Sequence, residues 1–129
     1  MDFESYFKET KGKGVLATSD NEGHVDLALY ARPHILDKDT IAFIMPDRLT
    51  HHNLQTNIHA AYLFIEEGPG YKGIRMFLKK SREEKDSDLL RSIHRRNYAT
   101  EPEGKEVPRF LVIFNIEKIL PLLGQSKTV

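Results

Sequence analysis

The stretch that decides the fold is Val25–Ile65, VDLALYARPHILDKDTIAFIMPDRLTHHNLQTNIHAAYLFI. Apolar residues concentrate in three of its segments, and turn-forming residues separate the first two. The pattern predicts strands at Val25–Tyr30, Thr40–Met45 and Ala60–Ile65. Asp37–Asp39 is predicted to be a turn that closes a hairpin between the first two of these strands.

The loop that follows the second of these strands is a candidate phosphate site. It brings an arginine, Arg48, and a hydroxyl, Thr50, to the start of a helix predicted from about Thr50 to Asn57. The first amides of a helix have no partner within it, and the helix dipole favours an anion there. An ordinary helix start with Asp47 or Thr50 as N-cap explains the same residues and is compatible with anion binding.

The rest of the chain is predicted to add three strands and two helices. The strands are Val15–Ser19, Tyr71–Lys80 and Phe110–Phe114, and the helices are Phe3–Lys11 and Glu83–Asn97. Because Phe110–Phe114 is apolar at every position, both of its faces should be buried, which in so small a domain points to a subunit interface. Short connections predict a single domain over residues 1–129, a small six-stranded antiparallel barrel with flanking helices and a loose tail at 124–129.

The composition excludes several kinds of chemistry. There are no cysteines, so disulfides, thiolate nucleophiles and sulfur-based zinc sites are ruled out, and electron transfer would need a bound cofactor. No serine lies in a G-x-S-x-G context, so no catalytic residue is assigned. Basic and acidic residues number 19 each, which removes the electrostatic argument for nucleic acid or an anionic membrane as a partner.

Other features of the chain indicate an ordinary location and surface. No apolar run reaches the roughly 18 residues of a membrane span. The acidic start Met1–Phe7 lacks the order of a signal peptide, so a cytoplasmic location is expected. Arg91, Arg95 and Arg96 form a basic patch that is predicted to be solvated.

Four histidines are candidate ligands for a metal ion or haem. His51 and His52 are adjacent, so on a helix they point about 100° apart, and no histidine follows either at the fourth position. They are predicted to be surface or interface residues, and no metal site is predicted. His24 and His34 lie near opposite ends of the strand at Val25–Tyr30, where solvated histidines are expected and a haem ligand is the alternative.

The order of these segments resembles the FMN-binding split-barrel family that includes pyridoxamine 5'-phosphate oxidase. The matching stretches are Gly14–Thr18, Gly23–Ala28, Asp47–Asn57 and Gly70–Arg75, which span nearly the whole chain. The resemblance implies a mainly β (α+β) fold, a six-stranded antiparallel split β-barrel with short flanking helices. It also implies a homodimer with FMN in the cleft between the two subunits.

The resemblance implies which residues hold the flavin. The ring would lie against the strands at Val25–Tyr30 and Thr40–Met45, and the phosphate would lie at the loop that enters the helix. The cofactor-binding residues carried over in this way are Leu27, Leu29, Tyr30, Arg32, Ile44, Met45, Arg48, Leu49 and Thr50. Where the family commonly has a lysine, this chain has Leu49 and Thr50, so Arg48 or Arg32 would supply the positive charge.

The implied function is that of an FMN-binding flavoprotein of the pyridoxamine phosphate oxidase-like family, acting as a small oxidoreductase or electron carrier. Two alternatives stay open. One is a non-catalytic barrel that binds or senses haem or another cofactor, and the other is a structural dimer that has lost its ligand. Oxidation of pyridoxamine phosphate itself is not assigned, because the carboxyl terminus, Gly124–Val129, lacks the basic residues that would bind that substrate.

Overall fold

The computed structural model describes residues 2–97 and 108–124, which form one antiparallel sheet and three helices. The elements in chain order are α1 (Phe3–Glu9), β1 (Gly12–Ser19), β2 (Val25–Tyr30), β3 (His34–Asp37), β4 (Thr40–Pro46), α2 (Leu49–Thr56), β5 (His59–Glu66), β6 (Gly73–Lys85), α3 (Asp88–Asn97) and β7 (Arg109–Pro121). Residues 125–129 of the predicted tail lie outside the described residues.

The seven strands form a single sheet in the order β2-β1-β5-β6-β7-β4-β3, and every neighbouring pair is antiparallel. Within residues 2–97 and 108–124, no hydrogen-bonded strand pair closes this sheet, so β2 and β3 each keep one free edge there. The prediction of a mainly β, antiparallel fold with short helices is confirmed. The prediction of six strands is wrong.

The sheet coils so that its two ends meet through side chains. The Tyr30 ring on β2 packs edge-on against Phe43 on β4, with 5.7 Å between the ring centroids, although four strands separate β2 from β4 in the sheet. Phe43 also contacts Tyr62 of β5 at 5.0 Å and Phe114 of β7 at 6.1 Å. These buried aromatic contacts fill the space that the coiled sheet surrounds.

The strand missed in the sequence is β3, which has only four residues and lies at an edge of the sheet. Pro33 ends the pairing of β2, and the chain then forms β3, which pairs with β4. The turn at Asp37–Asp39 therefore closes a β3–β4 hairpin, and the predicted pairing of β2 with β4 is wrong. A short edge strand after a proline lacks the length and alternation that reveal a strand in a sequence.

The boundary between β6 and α3 also differs from the prediction. Glu83–Lys85 was assigned to the start of a helix, but β6 continues through these residues and pairs with Val112, Leu111 and Phe110 of β7. The helix begins only at Asp88. Acidic residues at 83 and 84 suit a helix start, yet Glu83 and Glu84 here form ion pairs with Lys80 and Arg82 along the strand.

Strand β7 is buried on both faces within one chain. Val112 and Phe114 belong to the main core inside the coiled sheet. Leu111 and Ile113 point the other way and pack with Ile93 of α3 in a second cluster. The prediction of two-sided burial is confirmed, but helix α3 covers the second face, so this burial does not require a partner subunit.

The end of β2 is held by a close approach between strands. The hydroxyl of Tyr62 donates hydrogen bonds to the carbonyls of Tyr30 at 3.2 Å and Ala31 at 3.1 Å. Gly14 of β1 pairs with Tyr30 and leaves room for this hydroxyl, because a Cβ at position 14 would lie 1.8 Å from the Tyr62 oxygen. The missing side chain at Gly14 therefore allows Tyr62 to fix the carbonyls where β2 ends.

Candidate cofactor site

Strand β2 presents a free backbone edge next to the start of α2. Because β2 pairs only with β1, its other edge is free of strand partners in the described sheet. Side chains alternate along it, so Leu27 and Leu29 lie on the outer face and are 70% and 79% exposed. Tyr30 lies on the inner face, where it packs on Phe43.

Three residues of the predicted cofactor site lie close together. Burial raises the pKa of Tyr30, while a hydrogen bond with the Thr50 side chain and the nearby charge of Arg48 lower it, and the carboxylate of Asp26 raises it; the net change is upward. These interactions mean that Tyr30, Arg48 and Thr50 share one small region between β2 and α2. Thr50 is only 5% exposed, so its hydroxyl lies in an enclosed position.

The first turn of α2 has no side-chain cap. The N-cap residue is Arg48, with extended backbone angles and no capping hydrogen bond from its side chain. The alternative interpretation, a helix start capped by Asp47 or Thr50, is wrong because the N-cap residue is Arg48, and the Asp47 carboxylate lies 2.9 Å from Nδ1 of His51. The first amides of α2 are therefore not bonded to a capping side chain, which is the arrangement that suits an anion.

The other predicted cofactor-binding residues differ in burial and in hydrogen bonding. Arg32 donates from Nη1 to the carbonyls of Phe7 at 2.6 Å and Thr10 at 2.9 Å, so it anchors the end of α1. Met45 is fully buried in the main core, and Ile44 packs against the second cluster. Leu49 is 56% exposed at the start of α2. The side chain of Met45 therefore cannot contact a ligand, whereas that of Ile44 is half-buried.

A buried polar network behind α2 was missed in the sequence. His51 is 5% exposed, and its Nδ1 lies 2.9 Å from the Asp47 carboxylate while its Nε2 lies 2.9 Å from the Glu83 carboxylate. Its ring stacks on Phe110 with 3.8 Å between centroids. The prediction that His51 is a surface or interface residue is wrong. The i, i+4 spacing of Asp47 and His51 could have indicated that these two side chains interact. No such local spacing connects His51 with Glu83, which lies 32 residues further along the chain.

Glu83 connects this network to the sheet. Its carboxylate accepts hydrogen bonds from Lys80 at 2.6 Å and Gln55 at 2.9 Å in addition to His51. Burial raises the pKa of Glu83, but the bonds from Gln55, Lys80 and His51 outweigh burial and lower the pKa to about 2. Lys80 also donates to the carbonyl of Leu54 at 3.3 Å, so α2 is bound to β6 at several points.

An apolar surface covers the outer side of the same part of the sheet. The strand register places Leu27, Ala17, Ala61 and Phe77 in one row across four strands, and Leu29, Val15, Leu63 and Arg75 in the next row. A groove of about 340 Å³ runs along these rows. We call the two rows together with Val25 the outer apolar face. It begins on β2, the strand whose free edge borders the candidate site.

Several solved structures share this architecture. An FMN-binding protein from Syntrophomonas wolfei subsp. wolfei is 21% identical, with a TM-score of 0.76 over 95% of this chain and 84% of that chain. A Lactobacillus delbrueckii protein with the provisional name pyridoxamine 5'-phosphate oxidase is 16% identical, with a TM-score of 0.69 over 93% and 92%. The haem storage protein HutZ from Vibrio cholerae is 15% identical, with a TM-score of 0.63 over 91% and 90%. No protein-family model and no curated protein matches the sequence.

These likenesses define the class of the fold. The chain has the architecture of FMN-binding split-barrel proteins and pyridoxamine 5'-phosphate oxidase-like proteins, as the resemblance in the sequence predicted. At such identities the likeness extends to the fold alone, and the neighbours differ in ligand, since one binds FMN and another stores haem. The ligand of this chain has to be argued from its own residues.

The described residues contain neither a membrane-spanning helix nor a cluster of metal ligands. Within residues 2–97 and 108–124, no helix is both long and apolar enough to cross a membrane. The same part of the chain contains no group of three histidine, aspartate or glutamate side chains placed to hold a metal ion.

The substitution Glu83→Gln tests the network behind α2. The folded pKa of about 2 lies below the ordinary value of 4.5, so ionised Glu83 stabilises the fold above pH 4.5, and this contribution is lost as the pH falls toward 2. The shift corresponds to about 3 kcal/mol at roughly 1.36 kcal/mol per pH unit. We expect urea unfolding at pH 7 to show Glu83→Gln less stable than wild type by about this amount, with the difference shrinking below pH 4.5.

Glu22→Gln provides the matched control. Glu22 is exposed in the turn between β1 and β2, so we expect its substitution to leave the unfolding free energy unchanged at every pH. A difference between wild type and Glu83→Gln that stays constant from pH 7 to pH 3 would contradict the role assigned to the Glu83 charge.

Proposed function

We propose that this protein is an FMN-binding flavoprotein that acts as a small oxidoreductase or electron carrier. The observation that carries the proposal is the convergence of Tyr30, Arg48 and Thr50 where the free edge of β2 meets the uncapped start of α2. A strand edge and a helix start at one place offer different groups to a ligand. The free edge offers backbone donors and acceptors that have no strand partner in the described sheet. The helix start offers amides suited to an anion.

The phosphate of FMN would bind at the start of α2. The first-turn amides and the Thr50 hydroxyl are donors that suit phosphate oxygens, and Arg48 adds a guanidinium that can bind two of them at once. Arg48 thus takes the place of the lysine that is common in related loops. Arg32 contributes less here in our proposal, because its Nη1 is already bonded to the carbonyls of Phe7 and Thr10.

The flavin ring would lie along the free edge of β2. Backbone groups between Leu27 and Ala31 have no strand partner on that side, so they suit the carbonyl and imide groups of the ring. The carbonyls of Tyr30 and Ala31 are held by the Tyr62 hydroxyl, which keeps this end of the edge in place. When bound, the flavin supplies the redox chemistry, and the chain supplies the binding and orientation.

The second part of the proposal is a homodimer that covers the outer apolar face. Val25, Leu27 and Leu29 are 70–79% exposed on one strand, and the rows of Leu27 and Leu29 continue over β1, β5 and β6. A contiguous apolar patch of this kind is typical of a protein interface. A second copy of the chain suits it best, because the face adjoins β2 and the cofactor would then lie in the cleft between two subunits.

Replacement of Arg48 tests the phosphate site. We expect Arg48→Ala to weaken FMN binding about tenfold to a hundredfold, because a hydrogen bond to a charged group contributes roughly 1.5–3 kcal/mol. The measurement is quenching of FMN fluorescence as the apoprotein is added. Lys38→Ala removes an exposed cation from the turn between β3 and β4 and should leave the affinity unchanged. Unchanged affinity in Arg48→Ala would move the phosphate elsewhere, and no binding by wild type would refute the proposal.

The oligomeric state is tested separately. We expect Leu27→Asp to convert the dimer to a monomer, because the new charge would be buried without a partner at the centre of the interface. Light scattering coupled to gel filtration gives the mass directly. Asn115→Asp adds the same charge at an exposed position of β7 and should leave the dimer intact. A wild-type protein with the mass of one chain would contradict the dimer.

Haem binding is the second candidate function, and one histidine favours it. His24 is largely exposed, and its Nδ1 is bonded to Asp20 at 2.9 Å, which orients Nε2 as a metal ligand would need. A solved haem storage protein has the same fold, which supports haem binding as a candidate function. A Soret band on addition of hemin that disappears in His24→Ala would favour haem over FMN. A dimer that binds neither ligand would leave the third reading, a structural protein.

A further inference from the structure

A second cavity lies away from the start of α2. It has a volume of about 670 Å³ and lies among α1, the segment that joins β2 to β3, β3 itself, and α3. None of Arg48, Leu49 and Thr50 lines it. A volume in this range suits a small organic ligand.

The charged residues of this cavity are mostly basic. Lys8, Arg32 and Arg96 line it, whereas Glu4 is the one acidic residue among the described residues of the lining. Among residues 2–97 and 108–124, none of these three cations forms an ion pair with a carboxylate. Three cations that converge from α1, the end of β2 and α3 create a positive potential that a bound anion would relieve.

Arg32 is held in place without neutralisation of its charge. Both of its bonds, to the carbonyls of Phe7 and Thr10, are made by Nη1, and the acceptors are neutral. The guanidinium keeps its full charge, and its remaining donors are available for a ligand in the cavity that Arg32 lines. The charge of Arg96 also reaches the interior, because burial lowers the pKa of His34 and the charges of Arg96 and His94 lower it further.

Apart from His34, the other described residues that line the cavity are apolar. Phe7, Pro33 and Ile93 are buried, and Ile35 and Leu36 are half-buried. An inorganic ion would leave these walls in contact with water, whereas a molecule with a ring or a short chain would cover them. The two halves of the lining together therefore select a ligand that has both an anionic group and an apolar part.

We propose that this cavity is a binding site for a small amphipathic anion, an aromatic or aliphatic molecule that carries a carboxylate, sulfonate or phosphate group. Arg32, Lys8 and Arg96 hold the anionic group, and Phe7, Ile35 and Ile93 contact the apolar part. The sequence alone assigns Arg32 to the flavin phosphate and Arg96 to a solvated basic patch. The proposed site uses both residues. It does not depend on whether FMN binds at α2.

The test uses 8-anilinonaphthalene-1-sulfonate, whose fluorescence rises in an apolar site, with the full-length protein. We expect saturable binding that weakens as NaCl is added, and about tenfold weaker binding in Arg96→Gln and in Lys8→Gln. Arg95→Gln removes an exposed charge from the neighbouring position of α3 that does not line the cavity, and should bind the dye as wild type does. Far-UV circular dichroism checks that each variant is folded.

Three results would overturn the proposal. The first is equal affinity in wild type, Arg96→Gln and Lys8→Gln, which would place the dye on another surface such as the outer apolar face. The second is equally tight binding of N-phenyl-1-naphthylamine, which lacks the sulfonate and would show that charge plays no part. The third is an affinity for the dye that stays the same as NaCl is added, which would show that the cations of the cavity do not attract the sulfonate.

Discussion

Burial of β7 on both faces is the constraint on which the other elements depend. β7 lies between β6 and β4, so it joins the sheet section β2-β1-β5-β6 to the β4–β3 hairpin. One face completes the core inside the coiled sheet, and the other receives α3. A polar side chain at Val112 would therefore disturb the main core and one at Leu111 the second cluster, because neither face of this strand segment is open to water in the described structure.

The coiling that β7 permits also positions the candidate site. β2 and β4 lie far apart in the order of the sheet, yet Tyr30 meets Phe43, and this contact brings the free edge of β2 to the loop that ends β4. Helix α2 begins there and is tied to the sheet through His51, Glu83 and Lys80. The site is thus assembled from residues distant in sequence but held by rigid elements, which is the arrangement that orients a ligand.

The elements that could be predicted from the sequence are those that a local pattern of residues determines. Apolar runs gave the strands around Leu16, Phe43 and Phe64, and the loop at Arg48–Thr50 was found because a helix start after a strand has a known chemistry. The rest depends on pairing between distant segments. The short strand after Pro33 has no local signature, and Glu83 looked like a helix start because its partners His51 and Gln55 are not adjacent in sequence. The hydrogen-bond partners of Arg32 depend on the fold, which places the carbonyls of Phe7 and Thr10 next to its guanidinium.

The position of β2 at the rim of the sheet has a consequence for handling the protein. One strand carries both unsatisfied backbone groups along its rim and three exposed leucine or valine side chains on its outer surface. Such a combination invites foreign strands to add to the sheet, and natural proteins usually shield it. We therefore expect the isolated chain to be prone to aggregate through this strand.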